Sequence, residues 1–323
     1  MPFLSKVRDV AHPRAGFIAA MPQMQWVVLI RGCSAPSVVY PYNYATTKKL
    51  NNADRIKRRM LKNFILRFAP YSLLWFFKRY HYIRALKNFN EVQEKDIAIV
   101  KKLAGKGDYV VDIGANVGWY TKILAEQVGG TGRVFSIEPI PPTFKLLQHT
   151  VKVFRLANVR LYPVGLSDKE GVVAMEVPAY QQGGTNFYMA RIVDAGMVRS
   201  SHTGETFDVS VTTLDTLLSE FHDRIAFIKC DVEGHEWPVI QGAAALTHKS
   251  QPAWMIEISG DVDDVQSSSG RLADHFLRQG YGMYWYDGEK LVKREPGHMD
   301  INYFFLLPKH VQMLLSSKVS VID

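Results

Sequence analysis

The segment Ile228-Lys229-Cys230-Asp231-Val232-Glu233-Gly234-His235-Glu236 packs three carboxylates, a lysine and a histidine into one short run. It opens as an apolar strand and breaks at Gly234, and Trp237 and Pro238 begin a helix. In open α/β sheets, ligands bind beyond the carboxyl ends of strands, where Asp231 falls. Carboxylates at i and i+2 of an extended chain share a face, and that crowding shifts their proton affinity. Asp231 and Glu233 are therefore candidates for proton transfer or cation binding. The competing reading is a capped turn, with Asp231 on backbone N–H groups and Glu236 capping the next helix. His235 stands evenly between a base and an idle loop histidine.

A second cluster lies far upstream. The run Val110-Val111-Asp112-Ile113-Gly114-Ala115-Asn116-Val117-Gly118 is β-branched and apolar until it meets a glycine-rich turn, and a helix-like segment follows from Trp119. A buried strand feeding such a turn cradles a nucleotide-like ligand against a helix amino terminus. Gly114 and Gly118 read as points where backbone approaches the ligand. Twenty residues beyond Gly118, the strand Val134–Ile137 ends in Glu138, whose carboxylate suits a ribose diol. Two cofactor classes share this geometry, a dinucleotide and S-adenosylmethionine. Asp112 beside the turn repels a pyrophosphate and suits a cationic amino-acid moiety.

The elements that position these clusters alternate from Glu91 onward. A helix is expected over Glu91–Leu103. Strands are expected at Tyr109–Ile113, Val134–Ile137, Val159–Val164, Asp208–Thr212, Ala226–Cys230, Ala253–Ile258, Tyr281–Tyr286 and Ile301–Leu307. Helices fall near Trp119–Val128, Pro142–Phe154 and Leu214–Phe221. This is the pattern of a doubly wound parallel sheet with helices on both faces. The segment Val177 to Phe207 is rich in Gly, Gln, Ser and Thr and reads as an irregular substrate loop or lid.

A 323-residue chain with 47% hydrophobic content can bury a large core, either one extended α/β domain or one domain plus an appendage. The boundaries read as a basic, aromatic extension over 1–90, a catalytic domain over 91–310 and a tail over 311–323. Two distant cysteines, Cys33 and Cys230, form neither a disulfide framework nor a zinc pattern, which points to a reducing compartment. The stretch Ala15 to Ile30 is interrupted by Pro22, Gln23 and Gln25 and reads as neither a span nor a secretory signal. The expected location is cytoplasmic, with a membrane-peripheral position as the variant.

The net charge of +8 is concentrated. From Lys48 to Asn88 there are twelve Lys and Arg against the single acid Asp54, while the remainder holds 27 basic and 30 acidic residues. After an extended Pro36–Tyr44 tract, Ile56, Met60, Phe64 and Phe68 recur every fourth residue, a basic amphipathic helix ended by Pro70. A second aromatic segment runs from Tyr71 through Trp75, Phe76, Phe77 and Tyr80 to Tyr82. Either its aromatics pack on the catalytic domain beneath a solvated cationic face, or residues 48–88 meet an anionic substrate, nucleic acid or membrane. No specific nucleic-acid motif is present.

Taken together, residues 109–307 resemble the FkbM family of S-adenosylmethionine-dependent O-methyltransferases. The Asp112–Gly118 turn, Ile137-Glu138-Pro139 and Gly165-Leu166-Ser167-Asp168-Lys169-Glu170-Gly171 carry the likeness. So do Thr212-Thr213-Leu214-Asp215, the Ile228–Glu236 run and Met255-Ile256-Glu257-Ile258. The resemblance implies a Rossmann-like class I methyltransferase sheet of seven strands, the last antiparallel. It implies S-adenosylmethionine held by Asp112, Gly114, Ala115, Asn116 and Gly118, with ribose on Glu138 and adenine near Ser167 and Asp168. The reacting centre then lies at Asp231, Glu233 and His235, any of which is a candidate base. Asp231 and Glu257 end neighbouring strands and offer hard oxygen ligands, so a divalent metal stays an open question. The expected reaction is methylation of a hydroxyl on a small molecule, sugar or glycolipid. The alternatives are an NAD-dependent oxidoreductase on the same sheet and a binding module without turnover.

Overall fold

The computed structural model describes residues 71–177, 191–193 and 205–322, all within the unit Leu61–Asp323. The extended tract and basic helix expected before Pro70 lie outside the described residues. The first part of the chain runs α1 (Tyr71–Asn88), α2 (Ile97–Leu103), β1 (Tyr109–Ile113), α3 (Trp119–Val128), β2 (Arg133–Ile137), α4 (Pro141–Phe154) and β3 (Val159–Tyr162). Next come β4 (Gly165–Leu166), β5 (Gly171–Val177), β6 (Arg191–Val193), β7 (Glu205–Thr212) and α5 (Leu214–Leu217). The remainder is β8 (Ile225–Cys230), α6 (Glu236–Gln241), α7 (Ala244–Ser250), β9 (Ala253–Glu257), α8 (Ser268–Arg278), β10 (Gly282–Tyr286), β11 (Lys290–Lys293), β12 (Asn302–Leu306), α9 (Pro308–Ser316) and β13 (Ser320–Ile322).

The main sheet runs β13-β11-β10-β12-β9-β8-β1-β2-β3. Its seven central strands are the class I methyltransferase arrangement, with β12 antiparallel to both β9 and β10. The sheet is wider than the expected seven strands because β11 and β13 extend one edge. Residues 311–322, set apart above as a tail, complete α9 and supply that outermost strand.

Continuous apolar strands arise because both faces of this sheet are covered. Val111, Ile113, Phe135, Ile228 and Trp254 pack on one face, and Val110, Val134, Phe227 and Met255 on the other. The site-bearing strands β1 and β8 lie at its centre and pair in parallel, Asp112 facing Lys229 in register.

Three expectations are corrected. The helix expected from Glu91 begins at Ile97, because Asn90 turns the chain first: its Oδ1 accepts the Val92 amide at 2.8 Å. The strand expected to reach Val164 stops at Tyr162, since Pro163 has no N–H for the ladder. The chain then joins a second sheet, β4-β7-β5-β6, so Asp208–Thr212 belongs to that sheet. Its strands β6 and β7 occupy part of the segment read as an irregular lid. The remaining residues of that reading, 178–190 and 194–204, lie outside the described residues. Val177 and Val209 of the second sheet pack with Ile140.

Candidate active site

The glycine turn after β1 is shaped by the protein's own backbone. Gly114 and Ala115 donate to the Ile137 carbonyl at 3.1 and 3.0 Å, hooking the turn onto the end of β2. Gly114 has φ of +72°, and a Cβ there would lie 1.8 Å from the Asp231 carbonyl oxygen. Gly118 has φ of +98°, and its Cβ would press on Leu147 and Thr150 of α4 at 3.0 and 3.1 Å. The two glycines thus admit the segment that follows β8 and the helix α4. Between them Asn116 also takes a left-handed conformation, with φ of +50°.

Glu138 closes the turn from the other side. Its Oε2 accepts the Asn116 amide and its Oε1 the Ile140 amide, each at 2.9 Å. Only 5% of the residue is exposed, and burial pushes its carboxyl up to about 7 against those two bonds. Each oxygen keeps lone-pair capacity toward a hydroxyl.

Asp112 is fully buried. Its Oδ2 accepts the Thr121 hydroxyl at 2.6 Å, and Thr121 Oγ1 lies 2.9 Å from Ser136 Oγ. Burial raises its carboxyl, while Lys229 and Thr121 pull it down. Asp112 Oδ1 and Asn116 Oδ1 are buried without a hydrogen-bond partner. Both orphaned atoms at this turn are acceptors, so the turn suits a ligand that brings N–H or O–H donors. The ammonium and hydroxyls of S-adenosylmethionine meet that requirement, and a pyrophosphate does not.

Lys229 joins the two clusters. It is 6% exposed, and its ammonium donates to Asp231 Oδ2 at 2.9 Å and to the Gly114 carbonyl at 3.4 Å. The ammonium also lies 5.4 Å from the centre of the Tyr120 ring. Burial works against its charge, but Asp231 and Asp112 outweigh burial and hold it protonated above the ordinary lysine value. A charged residue between Ile228 and Cys230 in an apolar strand was a readable signal. What the sequence could not supply was its register against Asp112.

Asp231 donates its amide to the Ile113 carbonyl at 3.2 Å, and its side chain is ion-paired with Lys229. Glu233 is exposed at the apex of the turn, with φ of +54°. Desolvation among the surrounding groups, then repulsion from Asp231, Glu257 and Glu236, pushes its carboxyl up to about 8. Glu236 has the capping role: its Oε1 accepts the Gly234 amide at 2.9 Å and the Val232 amide at 3.4 Å. Glu257, on the neighbouring strand, is raised by burial and by Asp231. Among the described residues, no three His, Cys, Asp or Glu converge as a metal-holding group.

His235 turns toward the pair assigned to adenine. Its Nε2 lies 3.0 Å from Ser167 Oγ, and Ser167 donates to Asp168 Oδ1 at 3.0 Å. Burial lowers the imidazole's proton affinity, and Asp168 partly restores it. The structure therefore brings Asp112, Lys229, Asp231 and the Gly114 turn together, and brings His235 together with Ser167 and Asp168. The acidic surround also includes Glu94 and Asp96, which sequence reasoning did not single out. Both are raised by burial, and Asn302 donates to Asp96 Oδ2 at 2.8 Å. Asn302 faces Glu257 across β12 and β9.

The family model described as the methyltransferase FkbM domain matches residues 112–283. A protein-L-isoaspartate O-methyltransferase of Methanococcus aeolicus is 29% identical over 128 residues, covering 36% of this chain and 57% of its own. Methyltransferase FkbM from Methylobacillus flagellatus superposes with a TM-score of 0.41 and 18% identity, covering 62% of this chain and 43% of that one. An O-methyltransferase from Bacillus cereus, solved in complex with SAH, gives 0.41 and 11% identity over 76% of this chain and 96% of that one. The chain thus spans little more than half the length of the isoaspartate enzyme, and less than half of the Methylobacillus protein.

Proposed function

The chain belongs to the FkbM methyltransferase family, and on that premise we propose that it methylates a hydroxyl group, with S-adenosylmethionine as the donor. One observation carries the reading furthest. The Asp231 carbonyl fills the space beside Gly114, and Lys229 bonds to both segments. The cofactor turn and the acidic cluster are therefore one rigid unit, with the carboxylates beside the methyl donor's turn.

When bound, S-adenosylmethionine supplies an electrophilic methyl group. Asp112 and Asn116 offer acceptor oxygens to its ammonium and hydroxyls, and Glu138 offers the remaining capacity of its carboxylate to the ribose. Lys229 holds the Asp231 side chain in place through their 2.9 Å ion pair, so Asp231 orients the acceptor. Glu233 takes the hydroxyl proton onto its carboxylate, because a base with proton affinity near neutrality serves that role best. Family membership sets aside the dehydrogenase alternative on the same sheet. The acceptor classes we favour are a small molecule, a sugar or a glycolipid, since neutral hydroxyls need both a positioned base and a polar cleft.

The deciding experiment measures S-adenosylhomocysteine binding by calorimetry, then screens hydroxyl acceptors for transfer of a labelled methyl group. Binding with transfer to a hydroxyl is the expected result. Stabilisation by NAD alone would sink the reading, and binding without transfer to any acceptor would reduce the protein to a cofactor-binding module.

A further inference from the structure

Helix α1 carries apolar residues on two sides, and one of these stripes faces solvent. Leu73, Phe76, Phe77 and Tyr80 stand at i, i+3, i+4 and i+7, which is one helix face. They are 43%, 59%, 53% and 58% exposed. Arg84 and Lys87 continue that face and are exposed too. The opposite side holds the buried Ala85 and Leu86, and Lys78 and Arg79 are half-buried there. Arg79 Nε is buried without a hydrogen-bond partner. Of the two arrangements open from the sequence, aromatics packed on the domain or a surface for an anionic partner, Trp75 and Tyr82 follow the first and are half-buried, whereas Phe76, Phe77 and Tyr80 turn outward.

A water-facing apolar stripe marks an interaction surface, and the charge around it selects the partner. The helix contains no acidic residue, and its stripe ends in two cations. The 23 residues before it, from Lys48 to Pro70, hold eight Lys and Arg against Asp54. No helix among the described residues is long and apolar enough to cross a membrane. An apolar face bordered by cations complements the surface of a negatively charged bilayer, where rings sit at headgroup depth and cations meet phosphates. Single-stranded nucleic acid would need flat stacking platforms. Phe76 and Phe77 instead meet edge to face, with centroids 5.8 Å apart and planes at 73°.

We propose that α1 docks this protein on an anionic lipid surface, inserting Leu73, Phe76, Phe77 and Tyr80 while Arg84 and Lys87 meet lipid phosphates. The inference is independent of the proposed methyl transfer.

The test is cosedimentation of the full chain with phosphatidylcholine vesicles, with and without phosphatidylglycerol. Binding should require phosphatidylglycerol and fall ~10-fold or more between ~50 and ~200 mM salt. The double variant Phe76→Asp/Phe77→Asp should bind ~10-fold more weakly or worse, with melting temperature and S-adenosylhomocysteine affinity unchanged. Arg84→Gln/Lys87→Gln should flatten the salt dependence. Three results overturn the proposal: equal binding with and without phosphatidylglycerol, indifference to the aromatic substitutions, or retention of poly(U) without vesicle binding. A fourth is a dimer in light scattering that Phe76→Asp/Phe77→Asp disperses, which would assign the stripe to a second copy of the chain.

Discussion

The carbonyl oxygen of Asp231 occupies the position a side chain on residue 114 would need, 1.8 Å from an ideal Cβ. Two strand ends, more than a hundred residues apart in sequence, are thereby locked at van der Waals distance, and Lys229 bonds both. The glycine is required by that crossing before any ligand arrives.

Gly114→Ala should therefore damage the fold as well as binding. A left-handed φ costs a non-glycine residue roughly 1–2 kcal/mol, and overpacking against backbone adds about 1–3 kcal/mol. Thermal unfolding should shift down in the absence of any ligand. An unchanged melting temperature with lost S-adenosylhomocysteine binding would return Gly114 to a ligand-contact role.

Asp231→Asn should not be a silent substitution. It breaks the 2.9 Å ion pair and leaves the buried Lys229 charge to Asp112 and the weaker influence of Glu257. Removing one partner of a buried pair costs about 3–5 kcal/mol, discounted here because Asp231's side chain is 26% exposed. Lys229→Met should be at least as harmful, since Asp231 and Asp112 then lose their shared cation. The double variant should recover part of the loss relative to the sum of the singles. Additive urea midpoints would show that the pair is uncoupled.

Glu138 links binding to stability and pH. Its carboxyl is raised to about 7 in the fold, mainly by burial, from an unfolded value of ~4.3. The folded state thus holds the proton more tightly. Its contribution to stability is fully present below ~4.3 and is lost as pH rises through about 7. Glu138→Gln removes one acceptor from the pair serving Asn116 and Ile140, a loss of about 1–3 kcal/mol. It should also flatten the melting-temperature profile across that window. A variant with the same pH slope as the parent would exclude Glu138 as its source.

The parallel sheet was legible because apolar β-branched runs and glycine breaks are local signals. The Asp112–Gly118 turn and the Ile228–Glu236 run were legible for the same reason, as was the order of motifs that carries the family resemblance. The added edge strands β11 and β13 were not, because they are short and half polar, and only pairing defines them, β11 with β10 and β13 with β11. Register was equally hidden: nothing in the chain order says that Lys229 faces Asp112 or that His235 reaches Ser167. The outward turn of the α1 stripe was undecided for a related reason. Periodicity groups Phe76, Phe77 and Tyr80 on one face but does not say which face looks outward.

Glu233 is the residue on which the chemistry turns. A general base must be deprotonated, and its carboxyl sits at about 8 through desolvation and its acidic neighbours. kcat/KM should then rise with pH and level off above about 8, the opposite of an ordinary carboxylate's plateau from pH ~5. Glu233→Gln should lower kcat by ~100-fold or more and abolish that limb, leaving S-adenosylhomocysteine affinity unchanged. Because the folded carboxyl sits at about 8 against ~4.3 unfolded, the charge is costly in the fold. The neutral glutamine should therefore leave the melting temperature unchanged at low pH and raise it modestly above pH ~5, the gain being reduced by the side chain's exposure. His235 supplies the control. Burial holds its imidazole below the usual histidine value, so a profile governed by His235 would level off below pH ~6.5. If kcat/KM instead levels off below pH ~6.5, and that limb survives in Glu233→Gln and disappears in His235→Gln, the base is the histidine beside Ser167, and the acidic turn only orients the acceptor.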